Sequence, residues 1–163
     1  MPRRVLWVMV TVLTLSILAP GSSTVLAAPE AASAKALARL FQLAQQHHVA
    51  AGCDPWRHDP RLDRAAQLHA EELARSRRIS HRGLDGSTVR TRVRREGYAA
   101  NRATESIALY RTPEQSVKFW MNEGPNGPHR RNITWCQYTD AGVGVAYDKR
   151  GTPYWVMDYV NGE

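Results

Sequence analysis

Apolar residues recur along the chain first at helical spacing and later at strand spacing. Leu37, Leu40, Phe41 and Ala44 stand three, one and three apart, which predicts a helix with one buried stripe that ends near Gly52. Asp54 to His58 reads as a turn; Asp59 can then cap a second helix with Pro60 at its first position. Leu62, Ala66, His69 and Leu73 line one face of that helix to about Arg78. Gly83 to Ser87 is a loop, followed by a short helix with Val89 and Val93 on one side and Gly97 as its stop. Ile107 to Tyr110 has the composition of a short strand, and Thr112-Pro113-Glu114-Gln115 starts a helix that turns Val117, Trp120 and Met121 inward. Gly124-Pro125-Asn126-Gly127-Pro128 breaks it. Ala141 to Tyr147 and Tyr154 to Tyr159 alternate or run apolar around a turn at Asp148 to Pro153, the pattern of an antiparallel hairpin. Helices first and strands later, with no regular alternation, predict an α+β fold.

The first residues bear on compartment. Arg3 and Arg4 precede an almost wholly apolar run from Val5 to Ala19, and Val25-Leu26-Ala27 offers small residues for a peptidase. The organisation expected is a signal peptide over 1–27, a short polar lead-in over 28–35 and a single domain over 36–163, secreted to the extracellular or cell-envelope space. The apolar run is too short to span a bilayer comfortably, so no transmembrane span is expected after cleavage. An exported chain whose only cysteines are Cys53 and Cys136 is expected to pair them. Closing so long a loop restricts the unfolded chain by about 4 kcal/mol in the entropic account. Without Arg3 and Arg4, 20 of the 22 basic residues remain against 15 acids, a net charge of +5. The clusters Arg75, Arg77, Arg78 and Arg90, Arg92, Arg94, Arg95 read as solvated helix faces, and export argues against nucleic acid as a partner.

Several short words then add a more specific signal. Ala51-Gly52-Cys53, Asp59-Pro60-Arg61-Leu62 and Ala65-Ala66-Gln67-Leu68-His69 are followed by Ile79-Ser80-His81 and by Arg92 to Gly97-Tyr98. After these come Glu105-Ser106-Ile107-Ala108, Phe119-Trp120-Met121, Pro128-His129-Arg130-Arg131-Asn132-Ile133, Ala141 to Ala146 and Tyr154-Trp155. In this order the segments resemble the bacterial secreted branch of the CAP superfamily, which groups cysteine-rich secretory proteins, insect antigen 5 and plant pathogenesis-related proteins. The resemblance implies an α-β-α sandwich with a central antiparallel sheet flanked by helices. Two features depart from it: Ser106 stands where an asparagine follows the glutamate, and five residues separate Glu123 from His129 where close bacterial relatives turn more tightly.

The resemblance also implies a cavity with two histidines and two acids, which carry over to His81, Glu105, Glu123 and His129. Two neutral imidazoles with one or two carboxylates could hold a divalent metal such as zinc, could act as an acid/base set, or could fix a loop crossing by hydrogen bonds alone. No His-Glu-x-x-His helix, Gly-x-Ser-x-Gly elbow or phosphate loop is present, so no catalytic residue is assigned. The expected function is a non-catalytic binding module for a small lipid or sterol, an envelope component or a protein. The alternative is a metal-dependent hydrolase of peptide or ester bonds, with His81 and His129 holding the ion, Glu123 as base and Glu105 orienting a histidine or binding the metal. His69 is expected to pack in the core, and His47 and His48 to occupy a solvated helix end.

Overall fold

The computed structural model describes residues 27–162, so the expected leader lies outside the described residues except for Ala27. The elements run α1 (Ala27–Ala50), β1 (Arg57–His58), α2 (Pro60–Ser76), α3 (Val89–Arg95), β2 (Ala103–Ala108), α4 (Pro113–Met121), α5 (Pro128–Thr134), β3 (Asp140–Tyr147) and β4 (Pro153–Val160). The sheet order is β1-β3-β4-β2. The three long strands pair antiparallel, as expected, but the two-residue β1 joins β3 in parallel and makes the sheet mixed.

Helix α1 extends through the expected lead-in, because an alanine-rich stretch adds turns to a helix at almost no cost in propensity. Its stripe buries Leu40 and Ala44 and continues one turn further to His48. The solvated end expected there holds for His47, which is exposed, and fails for His48. The His48 Nδ1–H donates to the Ile133 carbonyl at 2.7 Å, and the ring stacks on Trp56 at 4.0 Å. Burial holds this imidazole below its ordinary pKa, against the opposing pull of that hydrogen bond.

The Asp59 carboxylate caps α2 by accepting the Arg61 N–H at 2.8 Å, with Pro60 in the first turn. The helix then lies directly on β3, where a Cβ on Gly142 would come within 2.4 Å of Leu62 and Asp63 backbone and one on Gly144 within 2.3 Å of Gln67. Only glycine permits that approach. It lets Asp63 accept the Val143 N–H at 2.8 Å and Gln67 accept the Val145 N–H at 3.0 Å, satisfying strand donors that β1 is too short to reach.

Helices α1, α4 and α5 cover one sheet face over a core that includes Leu40, Trp120, Ile133, Trp155, Met157 and Tyr159. Helices α2 and α3 cover the other, meeting Tyr154, Val156 and Val160 of β4. Helices on both faces give the α-β-α sandwich. Strand β2 starts four residues before the expected Ile107 because Ala103 to Ser106 find partners along β4, a tertiary pairing that overrides their weak strand preference. Helix α5 follows the helix-breaking run; its single fully buried residue, Ile133, leaves no period to read. Cys53 and Cys136 form the expected disulfide, which joins the chain after α1 to the chain after α5.

Candidate functional site

Two histidine–glutamate pairs form around β2 and α5. In the first, Glu105 lies on β2 with its side chain toward the α2 and α3 layer and is almost wholly buried. Its Oε1 is 3.0 Å from His81 Nδ1 and 3.8 Å from His69 Nε2, and its Oε2 accepts from Arg92 Nη2 at 2.6 Å. His69 Nε2–H donates to the Ser80 carbonyl at 2.9 Å, and Nδ1 lies 3.1 Å from Glu72. His69 is therefore buried, as expected, within a polar network and not among apolar neighbours alone. The hydrogen bond to Glu105 raises the His81 pKa above its ordinary value; burial and Arg92 oppose the shift.

Asp158 completes this cluster from β4. It is the cross-strand partner of Glu105, is fully buried, and neither carboxylate oxygen has a hydrogen-bond partner. Burial first and the Glu105 charge second push its pKa well above the usual carboxylate range, and Arg92 offsets part of this. Arg92, grouped above with solvated helix faces, is instead buried with its guanidinium on Glu105; the glutamate draws inward the one arginine of its cluster that faces β2.

The second pair is Glu123, just beyond α4, with His129 in the first turn of α5. Glu123 Oε1 meets His129 Nδ1 at 2.7 Å, and Oε2 accepts the His129 backbone N–H at 2.8 Å. The carboxylate thus caps α5, whose N-cap position, Gly127, has no side chain to do so. Burial raises the Glu123 pKa, but the two hydrogen bonds from His129 outweigh it and hold the group below its ordinary value.

Helix α5 connects the two pairs. Three residues beyond His129, Asn132 Nδ2 donates to the Glu105 carbonyl at 3.1 Å and lies 3.4 Å from Ser106 Oγ. Each of the four expected cavity residues therefore has a partner from the same set, His81 with Glu105 and His129 with Glu123. Among the described residues no three His, Cys, Asp or Glu side chains are placed together to hold a metal ion. Arg92 and Asp158 were absent from the expected set. A single acid in the apolar run Tyr154 to Tyr159 was the readable sign of Asp158; Arg92 opens one of the segments that resemble the family, but helical pattern alone does not separate it from its neighbouring arginines.

Comparison with known proteins places these features in context. The model of the cysteine-rich secretory protein family, CAP, matches residues 38–159. The uncharacterized protein YkwD of Bacillus subtilis is 27% identical over 141 residues, 85% of this chain and 52% of YkwD, so the chain spans about half the length of that relative. An extracellular SCP-domain protein from Bacillus anthracis superposes with a TM-score of 0.70 at 21% identity, over 79% of this chain and 41% of its own. NaASP2, crystallised with Zn2+, superposes with a TM-score of 0.53 at 14% identity, over 88% and 84% of the two chains. Among the described residues no helix is long and apolar enough to cross a membrane.

Proposed function

The chain belongs to the CAP, or cysteine-rich secretory protein, family, and from that premise we propose that it serves as a non-catalytic binding module outside the cytoplasm. Its ligand class is a small lipid or sterol, an envelope component or another protein. One observation carries this reading: both glutamates are engaged through both oxygens. The two oxygens of Glu123 hold the His129 ring and backbone N–H, and those of Glu105 hold His81 and Arg92. Carboxylates held in this way orient their histidines, and Glu105 also neutralises Arg92, which supports a structural role over proton transfer. Such pairs tie the chain at His81 to β2 and the end of α4 to α5, and shape the surface around them. The test combines turnover assays on peptide and ester substrates, with and without added zinc, and titration into vesicles carrying a fluorescent sterol. No turnover with saturable binding is expected; hydrolysis abolished by Glu123→Gln would overturn the reading.

A second reading, the metal-dependent hydrolase, is favoured by the orientation of the imidazoles. Both histidines turn Nδ1 to a glutamate and leave Nε2 free, the arrangement in which a carboxylate orients a zinc-bound histidine. The crystal structure of NaASP2 with Zn2+ is in keeping with the same idea. His81 and His129 would hold the ion, which would polarise a carbonyl or acidify a bound water; Glu105 and Glu123 would orient the rings. Calorimetry with zinc alone decides it, because His81→Ala and His129→Ala should each abolish binding if one ion is shared. Unchanged affinity in either variant removes the metal and the hydrolase together.

A further inference from the structure

We propose that the cavity between α2 and α3 is a binding site for a small apolar α-amino acid. The inference rests on the binding-module reading but places a ligand away from the His129 and Glu123 pair. The cavity measures about 170 Å³, which suits a molecule of amino-acid size.

Its walls supply the recognition. Arg92 lines it, and although Nη2 is held by Glu105 and Nη1 lies near the Ser87 carbonyl at 3.3 Å, the buried Nε–H has no acceptor. A buried donor left without a partner costs about 1–3 kcal/mol, and a small shift of the Arg92 side chain toward the cavity would let a ligand carboxylate accept from it. Three arginines and three acids line the space, so it favours neither net anions nor net cations. Arg95 and Asp85 already pair with each other, and Glu72 is taken up by the Leu84 N–H and His69. Arg75 and Glu96 remain as opposite charges with no ion pair among the described residues. A ligand carboxylate meets Arg92 Nε–H and Arg75, its ammonium meets Glu96, and its side chain lies against Ala65 and Leu68.

Calorimetric titration of the protein with L-leucine tests this, beside leucinamide, which lacks the carboxylate, and 4-methylpentanoate, which lacks the ammonium. Saturable leucine binding is expected, weaker by roughly tenfold or more with either analogue. Glu96→Gln should weaken leucine by about tenfold, and Leu68→Trp, at a partly exposed position that should not disturb folding, should abolish binding by filling the space. No response to leucine would mean that the cavity holds water only and would overturn the proposal. Leucine binding unaffected by Glu96→Gln and Leu68→Trp would overturn the site while leaving the binding-module reading standing. Peptide hydrolysis abolished by Glu123→Gln would instead overturn that reading.

Discussion

The two faces of the sheet are built from the same strands and solve different problems. On one, Trp155, Met157 and Tyr159 of β4 pack with Trp120, Leu40 and Ile133 in an apolar, aromatic layer closed at its edge by the Cys53–Cys136 disulfide. On the other, Tyr154, Val156 and Val160 alternate with Asp158, and Glu105, His69 and Arg92 are buried beside them. The apolar face needs only matched volume, since its interactions are not directional. The polar face must satisfy each charge or neutralise it, and replacing such a pair with packed hydrocarbon is often neutral or stabilising. What the charges fix is geometry: they tie α3, β2 and the chain at His81 to one point, next to the cavity proposed as a ligand site.

The largest effect expected is on the apolar face. Trp120→Ala opens a cavity under α4 and strips the Ile107 carbonyl of its 3.1 Å donor, so denaturant unfolding should show a loss of about 5 kcal/mol. A loss below about 1 kcal/mol would mean that this face is not the principal core.

On the polar face the expectation is smaller and partly reversible. Glu105→Leu leaves Arg92 buried without its acceptor and should cost about 3 kcal/mol. Adding Arg92→Leu to that variant should restore much of the loss, because it removes the stranded charge. If the double variant is as unstable as the single one, the pair contributes packing that hydrocarbon cannot replace, and the contrast between the faces weakens.

Asp158→Asn should give the smallest effect and the opposite sign. The folded protein holds the Asp158 proton at pH values where the unfolded chain has released it. Wild-type stability therefore falls as pH rises from the ordinary aspartate range toward the raised folded value, by up to about 1.4 kcal/mol per pH unit. Below that range both states are protonated and this contribution is constant. Asparagine carries no such dependence, so the variant should gain on wild type as pH rises toward 7, with the difference shrinking toward pH 4. Urea melts at several pH values measure it; a difference independent of pH would show that Asp158 ionises freely in the fold.

Much of the fold is legible in local sequence. Asp59-Pro60 and Thr112-Pro113 mark helix starts at the observed caps, and the hairpin of β3 and β4 follows from two apolar runs around one turn. Strand β1 was hidden because two residues carry no pattern, and α5 because one buried isoleucine carries no period. Of the candidate site, the identities of His81, Glu105, Glu123 and His129 came through family resemblance, and their pairing came from the fold. His48 misled because adjacent histidines at a helix end look solvated, yet the second lies four residues beyond Ala44 on the buried stripe.

The sequence by itself determined what depends on neighbours within a turn or a strand: helix caps, the buried stripes of α1 and α2, the hairpin, and two cysteines in a chain that reads as exported. Tertiary structure alone decided which arginine of a basic cluster turns inward, which acid loses its solvent and which glutamate serves which histidine. Those outcomes depend on contacts between residues far apart in the chain, Glu105 with His81 24 positions away and with Asp158 across the sheet. A charge is stabilised or neutralised by what surrounds it in space, and no local pattern records those surroundings.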